Sequence, residues 1–307
     1  MTTTQLEPSK PRDAGPPPAL DTGNNHERNR ASIIFLVALW CSLAFGILVL
    51  LVLLVSTAID AAPRLDANLF TQYASQLRED ETGVRAGILG SLWLMVTTAV
   101  MSVPLGIAAA LYLEEFANPT RWYNRLVEVN LQNLAAVPSV IYGLLAVGLM
   151  SLAGFSQTSL VIGGALALTL LILPVIIITT REAVRAVPRE IREGSLALGA
   201  TMWQTTWRQS LPSAVPGIAT GTILALSRAI GEAAPLLLLG VATGIRFDPN
   251  GILSQFTALP IQIFSMSSMS QDEFQTAAAA AIIVLLVMIL ALNGLAIYIR
   301  NHFQRRW

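Results

Sequence analysis

The sequence predicts an all-α, polytopic membrane protein with six transmembrane helices and a cytoplasmic helical hairpin, and three observations lead to this fold class. Of the 307 residues, 54% are hydrophobic and only 12% are charged, whereas an average soluble domain carries about 25% charged residues. Apolar segments of the roughly 20 residues that a spanning helix needs recur along the chain. Most basic residues lie between alternate apolar segments, as expected for cytoplasmic loops.

The chain divides into a polar tail, residues 1–28, and a membrane domain, residues 29–307. The tail is rich in Pro, Gly, Asn and charge and has no apolar period, which predicts a disordered cytoplasmic segment. The first apolar segment is too long for a signal peptide, so we expect it to remain as an anchor, although "DAA" after Ile59 weakly resembles a cleavage site. The six predicted spans are about residues 31–59, 87–113, 131–153, 158–180, 214–241 and 276–299.

The positions of the basic residues predict that both termini are cytoplasmic. With an inner N-terminus, only Arg64, Arg78, Arg85 and Arg246 of the 19 Lys and Arg residues fall in outer segments, and Arg228 lies inside a span. All the others fall in inner segments, which fits the positive-inside rule.

Several functional classes are excluded by composition. The net charge is zero, so no overall field favours nucleic acid. A single cysteine, Cys41, excludes a disulfide framework and a cysteine metal site, and His26 and His302 lie too far apart in sequence for a recognisable metal-ligand spacing. The only lysine, Lys10, follows a serine in the Pro-rich tail, so the chain has no P-loop and any ATP that powers it binds another polypeptide.

The inner segment 181–212 is too charged to enter the bilayer and predicts a helical hairpin on the inner surface. Pro188 suits the first turn of a helix, and Gly199 suits a helix stop with positive φ. Thr201 can cap a second short helix, "MWQTTWRQS", which we expect to end at Pro212.

This hairpin resembles the EAA loop of bacterial ABC importer permeases, in which small residues and a glycine turn seat a short helix in an ATPase subunit. The pattern is Glu, two small residues, Gly and a later Leu-Pro, with Gly-Ser in place of the frequent Ala-Ala. The resemblance implies that Glu193 pairs with a basic group of the partner. The matching residues here are Glu193, Gly194, Ser195, Gly199, Leu211 and Pro212. The alternative is an interfacial amphipathic hairpin that places arginines on lipid phosphates, namely Arg181, Arg185, Arg189 and Arg192.

Two further stretches, "NLAAVPSVIYGL" and "LSRAIGEAAPLL", resemble the PstA-type permease subunits of the bacterial phosphate (Pst) ABC importer. The resemblance covers about residues 87–240. It implies a type I importer permease in the bacterial plasma (inner) membrane, paired with a homologous PstC-type permease subunit. It also implies two PstB-type ATPase subunits, which carry the ATP and Mg, and a periplasmic phosphate-binding protein. No cofactor and no metal is then expected in this chain.

The fifth predicted span carries a stripe of small residues every four positions, from Ser213 to Ala233. Such a stripe lets two helices approach closely in lipid, either inside the subunit or at a subunit interface. Chance enrichment in an Ala-rich chain is the alternative. The stripe includes Gly217, Gly221, Ala225 and Ala229.

Arg228 and Glu232 stand four residues apart in the same apolar span and are expected to share a helix face. A charge at this depth costs about 2.5–3.5 kcal/mol on insertion scales, so we expect Arg228 to face a cavity or a partner. The pair is either a structural salt bridge or a polar station for phosphate, with Glu232 preventing tight retention. Near the proline of the third span, which either kinks or opens the helix, three more residues could donate to an oxyanion: Asn133, Ser139 and Tyr142.

The sequence therefore predicts the permease subunit of an ATP-driven phosphate importer, without covalent chemistry of its own. A permease for another oxyanion, such as sulfate, molybdate or phosphonate, is the first alternative. A secondary transporter with Glu232 as a proton carrier is the second, but it gives the 181–212 hairpin no role. A membrane enzyme would need a cluster of catalytic residues that the sequence does not contain.

Overall fold

The computed structural model describes residues 30–75, 82–118 and 120–303, so the predicted tail lies outside the described residues. Within these ranges the regular structure is helical, apart from an isolated β-bridge between Leu160 and Gln255. The helices are α1 (Arg30–Ala61), α2 (Ala67–Thr71), α3 (Arg85–Leu111), α4 (Trp122–Ala135), α5 (Ser139–Leu152), α6 (Val161–Arg185), α7 (Arg189–Ala197), α8 (Met202–Thr205), α9 (Leu211–Ile230), α10 (Ala234–Leu238), α11 (Leu259–Ser267) and α12 (Asp272–Phe303).

Five helical segments of the described chain are long and apolar enough to cross a membrane. They contain α1, α3, α6, α9 together with the turns before it, and α12. The pair α4–α5 makes a sixth if its two helices are counted as one span, but the two are bent by 112°. The number of predicted spans is therefore reached only with a broken third span.

The chain divides into two units, residues 1–53 and 54–307. In the described part of the first unit, the α1 helix exposes apolar side chains on all sides, as a helix in lipid does. In the second unit, α6 is the central helix and packs against α3, α4, α5 and α9. Its residues Leu168, Ile172 and Ile176 are fully buried in the largest hydrophobic cluster.

Close packing around α6 depends on glycines that face it. A Cβ on Gly106 of α3 would strike the side chain of Ile176, and one on Gly217 of α9 would lie 2.7 Å from the Cβ of Ala183. Gly221, one turn further along α9, lies against Thr179. Residue numbers increase along α9 in the direction in which they decrease along α6. The two helices are therefore antiparallel, with a register set by these contacts.

Two predicted spans differ from the structure. The third, 131–153, is not one helix, because the chain bends between Ala135 and Ser139, where Pro138 has an extended ψ of 135° and no N–H to continue α4. The fifth, 214–241, breaks at Gly231–Ala233 and continues as the short helix α10. Apolar composition identifies a membrane segment, but it does not show where the helix inside that segment is interrupted.

The segment between α10 and α12 contains a buried helix that was not predicted. In α11, the residues Leu259–Gln262 are buried and pack against α3 and α12. The Ser91 hydroxyl of α3 accepts a hydrogen bond from the Leu259 backbone N–H at 2.9 Å. At the N-terminal end of α3, Arg85 forms an ion pair with Asp248, with 2.6 Å between Nη2 and Oδ2.

Candidate functional site

The hairpin between α6 and α9 turns at a glycine in the left-handed region. Gly199 has φ +84°, and its N–H donates to Leu196 O at 2.9 Å. Thr201 then caps α8 in a capping box with Gln204. The hydroxyl groups of Ser195 and Thr205 lie 2.9 Å apart and join the two arms. Local sequence thus accounts for the turn, since few residues other than glycine adopt this φ without strain.

The face of the hairpin that points away from the rest of the chain is exposed and contains a groove of about 470 Å³. Leu198, at the tip, is 91% exposed, and Glu193 is exposed on α7. A Cβ on Gly194 would meet nothing within 4 Å, so no contact inside the chain requires a glycine there. The groove is lined by Glu190, Ile191, Gly194, Ser195, Leu198, Ala200, Gln204, Arg208 and Gln209. An exposed apolar tip beside a groove is typical of a surface that a partner covers.

The second arm of the hairpin does not end at Pro212 as expected. A π-turn, Thr206–Ser210, connects α8 directly to α9, in which Leu211 and Pro212 occupy the first turn. Pro212 has no N–H to donate to the preceding turn, and the wider π-turn absorbs this defect without breaking the helix. Leu211 and Pro212 therefore connect the hairpin rigidly to α9.

A network of charged side chains, which the sequence analysis missed, joins the C-terminal ends of α3 and α6 to α4 and α7. A second π-turn, Tyr112–Phe116, carries two adjacent carboxylates at the end of α3. Arginines that could have bound lipid phosphates pair with these and with a third carboxylate on α4. The pairs are Arg181 with Glu114 and Glu128, Arg185 with Glu114, and Arg192 with Glu115. The sequence feature that could have indicated this network is the acidic pair in "YLEEF", directly after an apolar span.

Residues of the predicted pathway lie on both sides of the bend between α4 and α5. Asn133 is exposed near the end of α4, and Ser139 is the half-buried first residue of α5. Tyr142 is only 4% exposed, and its hydroxyl donates to Leu134 O at 2.6 Å. The Tyr142 proton thus stabilises the bend and is not free for a ligand. In the first turn of α5, the Ile141 N–H already donates to Pro138 O at 3.0 Å, and the two N–H groups before it precede the first hydrogen bond of the helix.

Arg228 and Glu232 form an ion pair, but they do not share one helix. Arg228 lies in the last turn of α9, whereas Glu232 follows the break at Gly231. The distance from Arg228 Nε to Glu232 Oε1 is 3.5 Å, which is long for a hydrogen bond. The side chains are 51% and 22% exposed, respectively. The pair is therefore weak, and much of the guanidinium faces open space.

The helix register places Arg228 level with the middle of the apolar part of α6. Residues 161–181 of α6 extend about 30 Å, the thickness of the hydrocarbon core. Since Gly221 lies against Thr179 in the antiparallel pair, Arg228 is level with Ile172, close to the midpoint of this stretch. The contact between α9 and α12 agrees: Arg300 donates to Thr220 Oγ1 at 2.7 Å near the inner end. At 1.5 Å per residue, Arg228 lies about 12 Å deeper than Thr220.

Of the predicted pathway residues, the structure pairs Arg228 with Glu232, while Tyr142 lies on α5, which packs against the α10 helix that follows Glu232. The helix α5 meets α10 through Gly143, where a Cβ would lie 2.7 Å from the Pro235 Cα. In the described part of the chain, no hydrogen bond joins Asn133 or Ser139 to Arg228.

The small-residue stripe of α9 is covered by the same chain. Gly217 and Gly221 contact α6, and Ala225 and Ala229 are buried in the main hydrophobic cluster. The stripe therefore packs α9 onto α6 and leaves Arg228, on another face, exposed. A polar contact not predicted from sequence lies beside it, where the Ser227 hydroxyl is 2.5 Å from Asn293 Oδ1 of α12. In the described residues, no group of His, Cys, Asp or Glu could hold a metal ion.

Residues 102–307 match the family described as "Binding-protein-dependent transport system inner membrane component". The similar proteins include two phosphate permeases and a probable ABC transporter permease. A "Phosphate transport system permease protein PstA" from Yersinia pestis is 29% identical over 272 residues, which cover 88% of this chain and 89% of the relative. The protein of the same name from Mycobacterium leprae is 38% identical over 60% of this chain and 59% of the relative. A "Probable ABC transporter permease protein YqgI" from Bacillus subtilis is 36% identical over 54% and 56%, respectively. The chain thus spans less than two thirds of the last two relatives.

Two solved structures share the fold at low sequence identity. A chain of the bacterial alginate ABC transporter, in complex with a periplasmic protein bound to an alginate pentasaccharide, has a TM-score of 0.63 at 16% identity. The match covers 90% of this chain and 96% of the other. A chain of the inward-facing MetNI methionine ABC transporter has a TM-score of 0.55 at 18% identity, with coverage of 72% and 96%.

Proposed function

This chain belongs to the family of binding-protein-dependent transport system inner membrane components, and on this basis we propose that it is a permease subunit of an ATP-driven importer of inorganic phosphate. The relative from Yersinia pestis, aligned over most of both chains, is a phosphate permease by name. The observation in the structure that carries the proposal is the half-exposed Arg228, level with the middle of the apolar part of α6. An arginine stays charged there, and its planar fork matches a tetrahedral oxyanion.

The proposed assembly contains a homologous PstC-type permease subunit, two PstB-type ATPase subunits and a periplasmic phosphate-binding protein, in a bacterial plasma membrane with both termini cytoplasmic. ATP and Mg bind the ATPase subunits. The exposed face of the hairpin, with Glu193, Gly194 and Leu198, supports docking of an ATPase subunit. The π-turn that joins α8 to α9 supports transmission of force from that subunit to the helix that carries Arg228.

Phosphate passes Arg228 when alternating access opens this level of the membrane to each side in turn. The end of α9 stabilises a cation, because the last carbonyls of a helix carry partial negative charge. The start of α5 has the N–H groups of Ser139 and Val140 ahead of its first hydrogen bond, and N–H groups at a helix start suit an anion. Glu232, only 3.5 Å from Arg228 Nε, competes with phosphate for the guanidinium. This competition favours release, which transport requires as much as binding.

The proposal is tested with Arg228→Gln, Glu232→Gln and the double variant in the complete complex. Complex abundance and ATP-dependent phosphate uptake are measured together, with the exposed outer Arg246→Gln as a matched control. We expect Arg228→Gln and the double variant to assemble normally and lose uptake. Restoration of both assembly and uptake in the double variant would reduce the pair to a structural bridge.

Substrate identity is tested on the same wild-type complex. Uptake of labelled phosphate is measured against an excess of sulfate, molybdate or phosphonate. We expect unlabelled phosphate to compete and the other oxyanions to leave uptake unchanged. Uptake of another oxyanion in place of phosphate would assign this permease to that substrate instead.

A further inference from the structure

Six charged side chains join the C-terminal ends of α3 and α6 to α4 and α7, and so connect the hairpin to the bend of α4–α5. We propose that Glu115 and Glu128 are positioning residues that transmit movement of α7 to α4 and so to the bend at Ala136–Pro138. The inference rests on the proposed function, since α7 moves only if an ATPase subunit docks on the hairpin. It assigns a role in coupling to carboxylates outside both the hairpin and the pathway.

The link between α7 and α3 is a buried ion pair, in which Glu115 Oε1 makes no hydrogen bond among the described residues. The distance from Arg192 Nη2 to Glu115 Oε1 is 3.1 Å, and the Glu115 side chain is only 3% exposed. Arg192 Nη2 also donates to Val184 O at 2.6 Å, which ties α7 to α6. A buried carboxylate that loses its cation is strongly disfavoured, so this contact stays formed as α7 moves. The end of α3 therefore follows α7.

Arg181 is the pivot of the network because its guanidinium contacts carboxylates on two helices. Its Nε donates to Glu114 Oε2 at 3.2 Å, and its Nη2 donates to Glu128 Oε1 at 3.0 Å. Arg185 holds the same Glu114 with two hydrogen bonds, of 3.0 and 2.9 Å. Glu114 and Glu115 are adjacent in the π-turn, so a displacement of Glu115 also shifts the carboxylate that orients Arg181.

Glu128 is the releasable end of the network. It lies on α4, its side chain is 48% exposed, and it has one ion pair, whereas Glu115 is buried. An exposed ion pair is weak enough to form and break during each cycle. The last turn of α4 is fixed to α5 through the hydrogen bond from Tyr142 to Leu134 O. Holding or releasing Glu128 therefore moves α4, and with it the bend that is fixed to α5 beside the proposed pathway.

The test compares Glu128→Gln with Glu128→Asp and with Glu182→Gln as a control. Glu182 is an exposed carboxylate next to Arg181, and it has no ion pair within 4 Å in the described ranges. Complete complexes in proteoliposomes are supplied with the binding protein, and ATP hydrolysis and phosphate uptake are measured on the same vesicles. We expect Glu128→Gln to keep complex abundance and ATP hydrolysis while phosphate uptake per ATP falls about two- to fivefold, as the loss of one exposed pair allows. Glu128→Asp, which keeps the charge, restores coupling, and Glu182→Gln behaves as wild type.

Unchanged uptake per ATP in Glu128→Gln overturns the inference, as does an equal fall in the Glu182→Gln control. A variant at the buried end, Glu115→Gln, is expected to lower coupling further. If the Glu115→Gln complex fails to assemble, the inference is tested with the Glu128 variants only. A wild-type complex that hydrolyses ATP but takes up no phosphate contradicts the proposed function. If the wild-type complex takes up phosphate and Glu128→Gln shows the same uptake per ATP, only the present inference is contradicted.

Discussion

Gly221→Ala tests whether close approach of α9 to α6 sets the position of Arg228. The added Cβ would lie 2.5 Å from Thr179 Cβ, whereas ordinary contact begins at 3.4 Å, so the helices must separate by about 0.9 Å. A gap of this size forfeits a quarter to a half of the dispersion energy of each affected contact. Overpacking of this kind costs about 1–3 kcal/mol. Alanine recovers roughly 1 kcal/mol because it favours helix more than glycine does.

The matched control is Gly294→Ala in α12, where a Cβ would meet nothing within 4 Å. It carries the same helix-propensity gain without the clash, so the difference between the two variants isolates the packing term. Unfolding of the purified subunit in mixed micelles, followed by tryptophan fluorescence, gives the free energy of unfolding. We expect Gly221→Ala to be about 1–3 kcal/mol less stable than Gly294→Ala. Equal stabilities would refute the packing argument.

Three further predictions concern the turn, the bend and the outer ion pair. Gly199→Val, at φ +84°, is expected to release the ATPase subunits on co-purification while the chain still inserts, because a β-branched residue strains this turn; normal co-purification and uptake would exclude this role. Tyr142→Phe removes the hydrogen bond to Leu134 O and should cost about 0.5–1.5 kcal/mol of unfolding free energy, with no change expected if that bond is not formed in the membrane. Arg85→Gln breaks the partly exposed pair with Asp248 and should lower the free energy of unfolding only slightly, and less still at high salt; a large, salt-independent loss would point to a buried pair.

The hairpin was predictable because its geometry depends on local sequence. The positive φ at Gly199 and the capping box at Thr201 require only residues within a few positions. The small-residue stripe was predictable in the same way, as a period along one helix. Its partner was not, since nothing in the sequence distinguishes α6 from a helix of another subunit. That distinction came from Gly217 and Gly221 lying against Ala183 and Thr179.

The broken spans and the charged network could not be predicted because they depend on contacts between distant segments. Composition alone makes residues 131–153 and 214–241 look continuous, although each is interrupted in the structure. In the alternative interpretation of the hairpin, the arginines after the fourth span were expected to contact lipid phosphates. Their carboxylate partners lie more than 50 positions away in sequence, and two of them are aimed by a π-turn that has no clear sequence pattern.

The case for a pathway role of Arg228 is sharper after these corrections. From sequence it rested on the cost of a charge inside a presumed continuous helix. In the structure the helix ends two residues later, so the free carbonyls at the end of α9 and Glu232 beyond the break offset part of that cost. A residue needed only for packing would be covered, as Ala225 and Ala229 are, yet Arg228 is 51% exposed at this depth. Within this chain the pair is therefore not a buried salt bridge, and the open side of Arg228 faces either an anion or a residue of a partner subunit.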